Sequence, residues 1–229
     1  MWKRLGGVFL EISADESLRC VILRGAGTKA FAPGNDISEF ATERSNVEQA
    51  RAYGEDMRRT IEAIGACRHP VVAQIHGICV GGGLEIAGLA DIRICGESSR
   101  FGAPINKLGL VMAYAEISSL ISLAGEANAM EILLEGRVFD AREAKEMGLV
   151  TRVVPDGEVE REARETAQRI ADGAPLVARW HKKFARRLAD PLPITAAEAD
   201  ECFDCFDTED FRIGYAAFLA KTKPGFTGR

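Results

Sequence analysis

The sequence predicts an α/β protein whose last third is helical. Over the first two-thirds of the 229 residues, short β-branched runs alternate with longer stretches that place apolar residues at helical spacing. This alternation is typical of a sheet with helices packed against it. In the last third helical patterns dominate, separated by Pro155, Pro175, Pro191 and Pro193. We therefore expect an α/β core followed by a helical region that reaches toward a neighbouring subunit.

The N-terminal elements follow one another closely. Residues 2–13 place apolar side chains at helical spacing and predict a short amphipathic helix. Residues 19–24 form a β-branched run, which indicates a buried strand. The next segment, residues 25–38, is rich in glycine, proline and asparagine and predicts a loop. A second amphipathic pattern predicts a helix over residues 46–64.

Two more strands are predicted in the middle of the chain, over residues 71–75 and 91–95. Between them lies the glycine triplet 81–83, and residues 84–89 indicate the opening of a helix. Backbone N–H groups at such a turn have no Cβ atoms around them and lie at the positive end of a helix dipole, where they suit an anion or a developing oxyanion. The alternative, which the residues alone slightly favour, is a tight strand–helix crossing in which the dipole merely favours Glu85.

Beyond Pro104 the chain is predicted to be mostly helical, apart from a short strand over residues 149–154. Asp140 and Glu143 fit a capping box, in which the first side chain accepts a hydrogen bond at a helix start and the second reaches back to it. This pair marks the beginning of one of the later helices.

Composition and charge exclude several classes of protein. Lysine and arginine number 29 and aspartate and glutamate 34, so the net charge of −5 gives no basic surface for unspecific nucleic-acid binding. The longest apolar stretch, residues 71–90, is interrupted by polar residues and glycines and is not a membrane span. The chain starts with too short an apolar run for a signal peptide. Six cysteines without a short disulfide framework favour a reducing compartment, so we expect a cytoplasmic protein.

Two short motifs lack the context that their chemistry needs. Residues 25–30 match the dinucleotide pattern G-x-G-x-x-A, but Pro33 prevents the helix that would have to open there. Cys202 and Cys205 form a CxxC with neither a second pair nor a following histidine, so we expect two cysteines on a half-buried helix face and no metal site.

The loop Pro33-Gly34-Asn35-Asp36 allows two interpretations. It could direct an N–H group toward the glycine turn that precedes Glu85. Alternatively, Asp36 forms an Asx turn or caps the start of a helix. The residues alone favour the second interpretation.

Several blocks of the chain resemble one known family. Residues 30–40 (AFAPGNDISEF) and 69–85 (HPVVAQIHGICVGGGLE) resemble two sequence blocks of the crotonase superfamily, the enoyl-CoA hydratases and isomerases. The similarity continues in family order through residues 90–93, 101–104, 136–154 and 223–229, and so covers essentially the whole chain. The resemblance reverses the preference for a purely structural role at both the glycine turn and Asn35.

This resemblance implies a fold and an assembly. The fold would be a crotonase-like spiral of ββα units, with an acyl-CoA-binding α/β core over residues 1–155 and a C-terminal helical trimerisation region over residues 156–229. The protein would be a homotrimer or a dimer of trimers. Family chains usually begin with a pair of strands, which this sequence lacks before residue 2.

The resemblance also implies a site. Asn35 and Gly82 match the two oxyanion-hole positions, and Glu85 matches a catalytic glutamate. The matching substrate-binding positions are Asn35, Asp36, Ile37, Ser38 and Gly82. The ligand would be an acyl-CoA thioester, with coenzyme A as part of the substrate and no further cofactor.

One catalytic position departs from the family pattern. Hydratases carry a second glutamate where this chain has Ile105, which cannot exchange a proton. Tyr114 and Glu116 are the candidates for a substitute acid, although Tyr114 could equally be a buried structural residue. We expect enoyl-CoA hydration; the alternatives are double-bond isomerisation or decarboxylation using one carboxylate, or a CoA-binding oligomer without turnover.

Overall fold

Eight short strands form two sheets, and the first six strands along the chain go to the two sheets in alternation. The computed structural model describes all residues, 1–229. The strands are β1 Val21–Arg24, β2 Ala30–Ala32, β3 Val71–Ile75, β4 Ile78–Val80, β5 Ile92–Gly96, β6 Arg100–Gly102, β7 Val138–Asp140 and β8 Arg152–Val154. The first sheet has the order β1-β3-β5-β8 and is parallel throughout. The second has the order β2-β4-β6-β7, in which only the β6–β7 pair is antiparallel.

Helices follow the strand pairs. They are α1 Trp2–Ala14, α2 Phe40–Glu43, α3 Val47–Ala66, α4 Gly82–Gly88, α5 Tyr114–Glu135, α6 Ala141–Glu146, α7 Val159–Ala171, α8 Pro175–Arg187, α9 Ala196–Asp200 and α10 Glu209–Ala220. Short 3-10 turns lie at Ile37–Glu39, Pro104–Leu108, Asp156–Glu158 and Glu201–Asp207. The successive units β1-β2-α3, β3-β4-α4 and β5-β6-α5 build the predicted spiral of ββα units. The predicted α/β fold with a helical C-terminal region is confirmed.

The prediction missed all four strands of the second sheet. The loop predicted over residues 25–38 is wrong at Ala30–Ala32, which forms β2, and Ile78–Val80 was not predicted as a strand. Each strand is only three residues long, too short for an alternating pattern to show, and pairing with neighbouring strands decides its conformation. Helix α4 begins at Gly82, two residues before the predicted opening at Leu84.

The core lies between the sheets and the helices that cover them. Strand β3 is buried along its whole length, which explains why four of its five residues are apolar. On the other face of the first sheet, Val72 and Ile94 pack against Ala163 of α7. The helical region after residue 155 therefore starts with a helix that belongs to the core, and its role in oligomerisation stays a prediction.

Helix α5 is long and apolar enough to cross a membrane by length and composition alone. One such helix is weak evidence for a membrane span, because core helices of soluble proteins pass the same test. Gly125 has non-helical dihedral angles (φ 76°, ψ 161°) and breaks the helix near its middle. The N-terminal half of α5 packs against α4, where Leu123 and Ser119 lie beside Gly88.

The predicted capping box forms only in part. Asp140 accepts a hydrogen bond from the Glu143 N–H at 2.9 Å and so caps α6. The Glu143 carboxylate pairs with Arg137 instead of reaching back to the cap. A charged partner competes successfully for the second half of the box.

Candidate active site

The glycine turn between β4 and α4 brings backbone donors to the surface of the core. Gly81 has φ 51°, in the left-handed region that favours glycine, and Gly82 is the first residue of α4. An amide at this position has no carbonyl one turn earlier to accept its hydrogen bond, and it lies at the positive end of the helix. A Cβ on Gly83 would stand 2.2 Å from the Ala32 carbonyl oxygen, so close packing and donor exposure occur in the same turn.

The Asn35 loop touches this turn. Gly34 has φ 101°, and a Cβ there would lie 3.3 Å from the Val80 carbonyl oxygen and 3.8 Å from the Gly82 nitrogen. The N–H group of Asn35 has no hydrogen-bond partner within the chain. The structure thus brings Asn35 and Gly82 together, which is the arrangement required of two oxyanion-hole donors.

Two side chains that the sequence did not indicate hold Asn35. The Trp2 indole Nε1 donates to Asn35 Oδ1 at 2.9 Å, and the Tyr53 hydroxyl donates to the same oxygen at 3.3 Å. Both donors come from helices that are distant in sequence from the loop. Their helical spacing indicated only that they belong to the core.

Asp36, Ile37 and Ser38 form the short turn that follows Asn35. Asp36 accepts hydrogen bonds from the Ser38 N–H at 2.9 Å and the Ser38 hydroxyl at 2.7 Å. These bonds lower the pKa of Asp36, and they make it the cap of the turn, as one interpretation of the sequence predicted. The Ile37 side chain is exposed. Direct contact of these residues with a substrate stays a prediction.

Glu85 lies in the first turn of α4, three residues after Gly82. Its Oε2 atom is buried and has no hydrogen-bond partner. Burial, and next the negative charge of Glu116, raise the pKa of Glu85 to about 8, against a smaller lowering by Arg44. A carboxyl group of this kind exchanges protons near neutral pH.

Glu116 lies across a small cavity from Glu85. Its Oε2 accepts a hydrogen bond from the Ala113 N–H at 2.7 Å at the start of α5. Burial raises the pKa of Glu116, opposed by this hydrogen bond and by Arg44. The cavity has a volume of about 10 Å³, roughly the minimum for a single water molecule. Its apolar walls are formed by Leu84, Met112, Leu120, Leu123 and Leu149.

The structure separates the two candidates for a substitute acid. Tyr114 is 94% exposed and does not line the cavity, so a buried structural role for it is wrong. Its neighbour Glu116, two residues further along the first turn of α5, faces the cavity. Ile105 packs partly buried against the main core and adds no titratable group.

Arg44 is a further charged group that no motif indicated. Its guanidinium lies 4.6 Å from the centre of the Phe40 ring and 4.7 Å from that of Tyr53. It forms no salt bridge within 4.0 Å, and its charge lowers the pKa of both Glu85 and Glu116. The site therefore consists of two carboxyl groups, two backbone donors and one nearby cation.

The comparison with protein families decides what this arrangement belongs to. The enoyl-CoA hydratase/isomerase family model matches residues 1–229. The chain belongs to the enoyl-CoA hydratase/isomerase family. A probable enoyl-CoA hydratase of Mycobacterium bovis is 35% identical over 221 residues, covering 96% of this chain and 84% of its own length. The crotonyl-CoA hydratase of Syntrophomonas wolfei is 33% identical over 220 residues, covering 95% and 84%.

Solved structures of this family share the fold. A crystal structure described as an enoyl-CoA hydratase/carnithine racemase from Magnetospirillum magneticum is 55% identical, with a TM-score of 0.98, covering all of this chain and 86% of its own. The enoyl-CoA hydratase of Bacillus anthracis is 33% identical, with a TM-score of 0.92 and coverage of 100% and 88%. The crotonase-like fold predicted from the sequence is thereby confirmed, and the protein is an enoyl-CoA hydratase-like enzyme.

Proposed function

We propose that the protein hydrates the double bond of a short 2-enoyl-CoA thioester. The observation that carries this proposal is the pair of carboxyl groups, Glu85 and Glu116, on either side of a cavity sized for one water molecule. The names of the relatives, enoyl-CoA hydratase and crotonyl-CoA hydratase, support the same substrate class. Glu116 thus takes the place of the glutamate that the family pattern expects at Ile105.

The backbone donors stabilise the charge that develops during the reaction. Attack of water on the β-carbon moves an electron pair through the double bond onto the thioester oxygen. The N–H groups of Asn35 and Gly82 donate to that oxygen from fixed positions. One such donor is worth about 3–4 kcal/mol of transition-state stabilisation.

The two carboxyl groups divide the proton transfers. Burial and the negative charge of Glu116 raise the pKa of Glu85 to about 8, so near neutral pH we assign the proton of the pair to Glu85 and the negative charge to Glu116. The ionised member takes a proton from water as the hydroxide adds to the β-carbon. The protonated member gives its proton to the α-carbon, and the total number of protons on the pair is unchanged.

Double-bond isomerisation is the second candidate, and the isoleucine at position 105 favours it. A single carboxylate can remove a proton from one carbon of a 3-enoyl thioester and return it to another, while the oxyanion hole holds the enolate. In that case Glu85 would suffice and Glu116 would serve only to start α5.

The similarity to the enoyl-CoA hydratase/isomerase family also supports the assembly and compartment that we propose. The C-terminal helices expose a group of aromatic side chains: Phe203, Phe206, Phe211, Tyr215 and Phe218. Such a surface suits contacts between subunits in a homotrimer or a dimer of trimers. We propose a cytoplasmic enzyme that needs no metal or cofactor beyond the coenzyme A of its substrate.

Hydration of crotonyl-CoA, followed by the loss of absorbance of the conjugated thioester, tests the proposal. The wild type should convert it to the 3-hydroxy product, and Glu85→Gln should lower kcat at least about 1,000-fold, while the exposed Glu126→Gln on the same helix as Glu116 should leave it unchanged. Conversion of 3-enoyl-CoA without hydration would establish the isomerase instead. A gain of hydration only in Ile105→Glu would show that Glu116 does not replace the missing glutamate.

A further inference from the structure

Trp2 is almost completely buried, although it is the first residue of the first helix. Its side chain is 4% exposed and belongs to the main core cluster. The Trp2 carbonyl oxygen accepts a hydrogen bond from the Thr60 hydroxyl at 2.9 Å, which ties the first turn of α1 to α3. The indole is therefore held by its own backbone as well as by packing.

One indole ring contacts both residues of the oxyanion hole. Its Nε1 donates to Asn35 Oδ1 at 2.9 Å. Its Cζ2 atom lies 3.2 Å from the point where a Cβ on Gly82 would stand, and Asn35 Oδ1 lies 3.4 Å from that same point. The indole thus covers the Gly82 Cα while it holds the side chain of Asn35.

The Asn35 side chain has a defined orientation. An indole N–H can only donate, so the amide atom facing Trp2 must be the carbonyl oxygen. The Tyr53 hydroxyl reaches the same oxygen at 3.3 Å, and the Tyr53 ring stacks on Arg44. Two donors on one acceptor leave Asn35 little rotational freedom, while its backbone N–H remains free.

This contact matters because oxyanion-hole catalysis depends on the positions of the donors. The loop that carries Asn35 has no regular secondary structure next to that residue, whereas Gly82 is fixed at the start of α4. Misplacement of a catalytic group by about 1 Å costs on the order of 100-fold in rate. The position of the loop must therefore be fixed by a contact from outside it. The Trp2 indole makes such a contact and also packs over Gly82.

We propose that Trp2 is a positioning residue that fixes the Asn35 and Gly82 N–H groups relative to each other. The inference rests on the proposed oxyanion hole and holds for hydration and isomerisation alike, because both pass through a thioester enolate. Trp2 acts through the Asn35 side chain, so the side chain of Asn35 serves in orientation and its backbone in catalysis.

The test compares Trp2→Phe, Asn35→Ala and the double variant. Trp2→Phe keeps a ring over Gly82 and removes the donor; Asn35→Ala removes the acceptor and keeps the backbone N–H. Each should lower kcat for crotonyl-CoA about 10-fold with KM changed less than about 2-fold. Both changes break the same hydrogen bond. The kcat of the double variant should therefore be at most about 2-fold lower than that of the less active single variant. Multiplying losses, or an unchanged kcat, would overturn the proposal.

A binding measurement separates this proposal from the choice of reaction. Acetoacetyl-CoA enolises readily and imitates the charged intermediate, whereas butyryl-CoA does not. Trp2→Phe should raise the dissociation constant of acetoacetyl-CoA about 10-fold and that of butyryl-CoA less than about 2-fold. This expectation holds even if the wild type does not hydrate crotonyl-CoA. Equal weakening of both thioesters would reduce Trp2 to a general packing residue and contradict the proposal.

Matched controls keep the result interpretable. Trp180→Phe alters the only other tryptophan, on α8, and should change neither kcat nor either dissociation constant. It also leaves Trp2 as the sole indole, whose fluorescence should respond to acetoacetyl-CoA. Should Trp2→Phe fail to fold, Asn35→Ala decides alone: unchanged kcat and unchanged acetoacetyl-CoA affinity in that variant would overturn the proposal.

Discussion

Lys182 and Glu85 both have ionisable groups that are largely buried, but only the amine of Lys182 has a charged partner in direct contact. Lys182 Nζ pairs with Asp91 at 2.6 Å and donates to the His69 carbonyl oxygen at 2.6 Å. Glu85 has one buried oxygen with no partner, and a second carboxyl group raises its pKa further. Burial lowers the pKa of Lys182, and the charge of Asp91 and its hydrogen bond offset part of this shift. The amine of Lys182 is paired, whereas the carboxyl group proposed for catalysis has an oxygen without a partner.

Among the changes that test this comparison through activity, removing the second carboxyl group should have the larger effect. Glu116→Gln keeps an oxygen that can accept the Ala113 hydrogen bond, so α5 should still begin at the same residue. Hydration should fall about 100-fold because the carboxylate that takes the proton from water is lost. The pKa of Glu85 should also fall, since the charge of Glu116 raises it. The kcat/KM profile should therefore shift its Glu85-dependent limb to lower pH; an unshifted profile with full activity would mean that Glu116 only starts the helix.

Breaking the ion pair between Lys182 and Asp91 should lower the stability of the fold and leave the enzymatic activity unchanged. Lys182→Met keeps most of the apolar stem and removes the amine from Asp91. Since Asp91 is about a third exposed, with a side-chain exposure of 31%, the free energy of unfolding should fall by about 2 kcal/mol, less than for a fully buried pair. Urea unfolding measures this loss. Lys183→Met, which breaks the surface pair with Glu201, should cost under about 0.5 kcal/mol, and equal losses would contradict the comparison.

The unpaired carboxyl group of Glu85 should show a pH-dependent cost in stability. The folded state holds the proton of Glu85 up to a pKa of about 8, whereas the unfolded chain releases it near the ordinary value of 4.5. The contribution of Glu85 to stability is therefore complete below about pH 4.5 and is lost as the pH rises toward 8. The stability of Glu85→Gln relative to the wild type should therefore rise between pH 5 and pH 8, by on the order of 3–4 kcal/mol if the whole pKa shift is expressed. Thermal unfolding at the two pH values measures this, and a constant difference would show that Glu85 does not titrate in this range.

The sequence predicted elements whose pattern is carried by many residues. The helix at the N-terminus, the long helix α3 and the buried strand β3 lie where their periodicity or apolar run places them. The three-residue strands of the second sheet carry no such signal, because their conformation depends on pairing with distant segments. The donor turn at Gly82 was visible as a glycine triplet, since the backbone requirement is local.

The carboxyl pair could not be assigned from the sequence. Glu116 was one of two candidates, separated from Tyr114 by a single residue, and only the direction of the first turn of α5 distinguishes them. Trp2 and Arg44 were missed for the same reason: nothing in their neighbours along the chain shows that they meet Asn35 or the carboxyl groups. Helical spacing assigned Trp2 to the core, which is correct and hides its second contact.

The hydrogen bond from Ala113 to Glu116 has a stereochemical consequence. One carboxylate oxygen of Glu116 is fixed as an acceptor, so a proton that Glu116 exchanges must sit on the other oxygen. A planar double bond held by the oxyanion donors then receives, on one face only, the hydroxide from the water that gives up this proton, while Glu85 protonates the α-carbon. The hydrogen bond between Ala113 and Glu116 at the start of α5 would thus determine the configuration of the 3-hydroxy product.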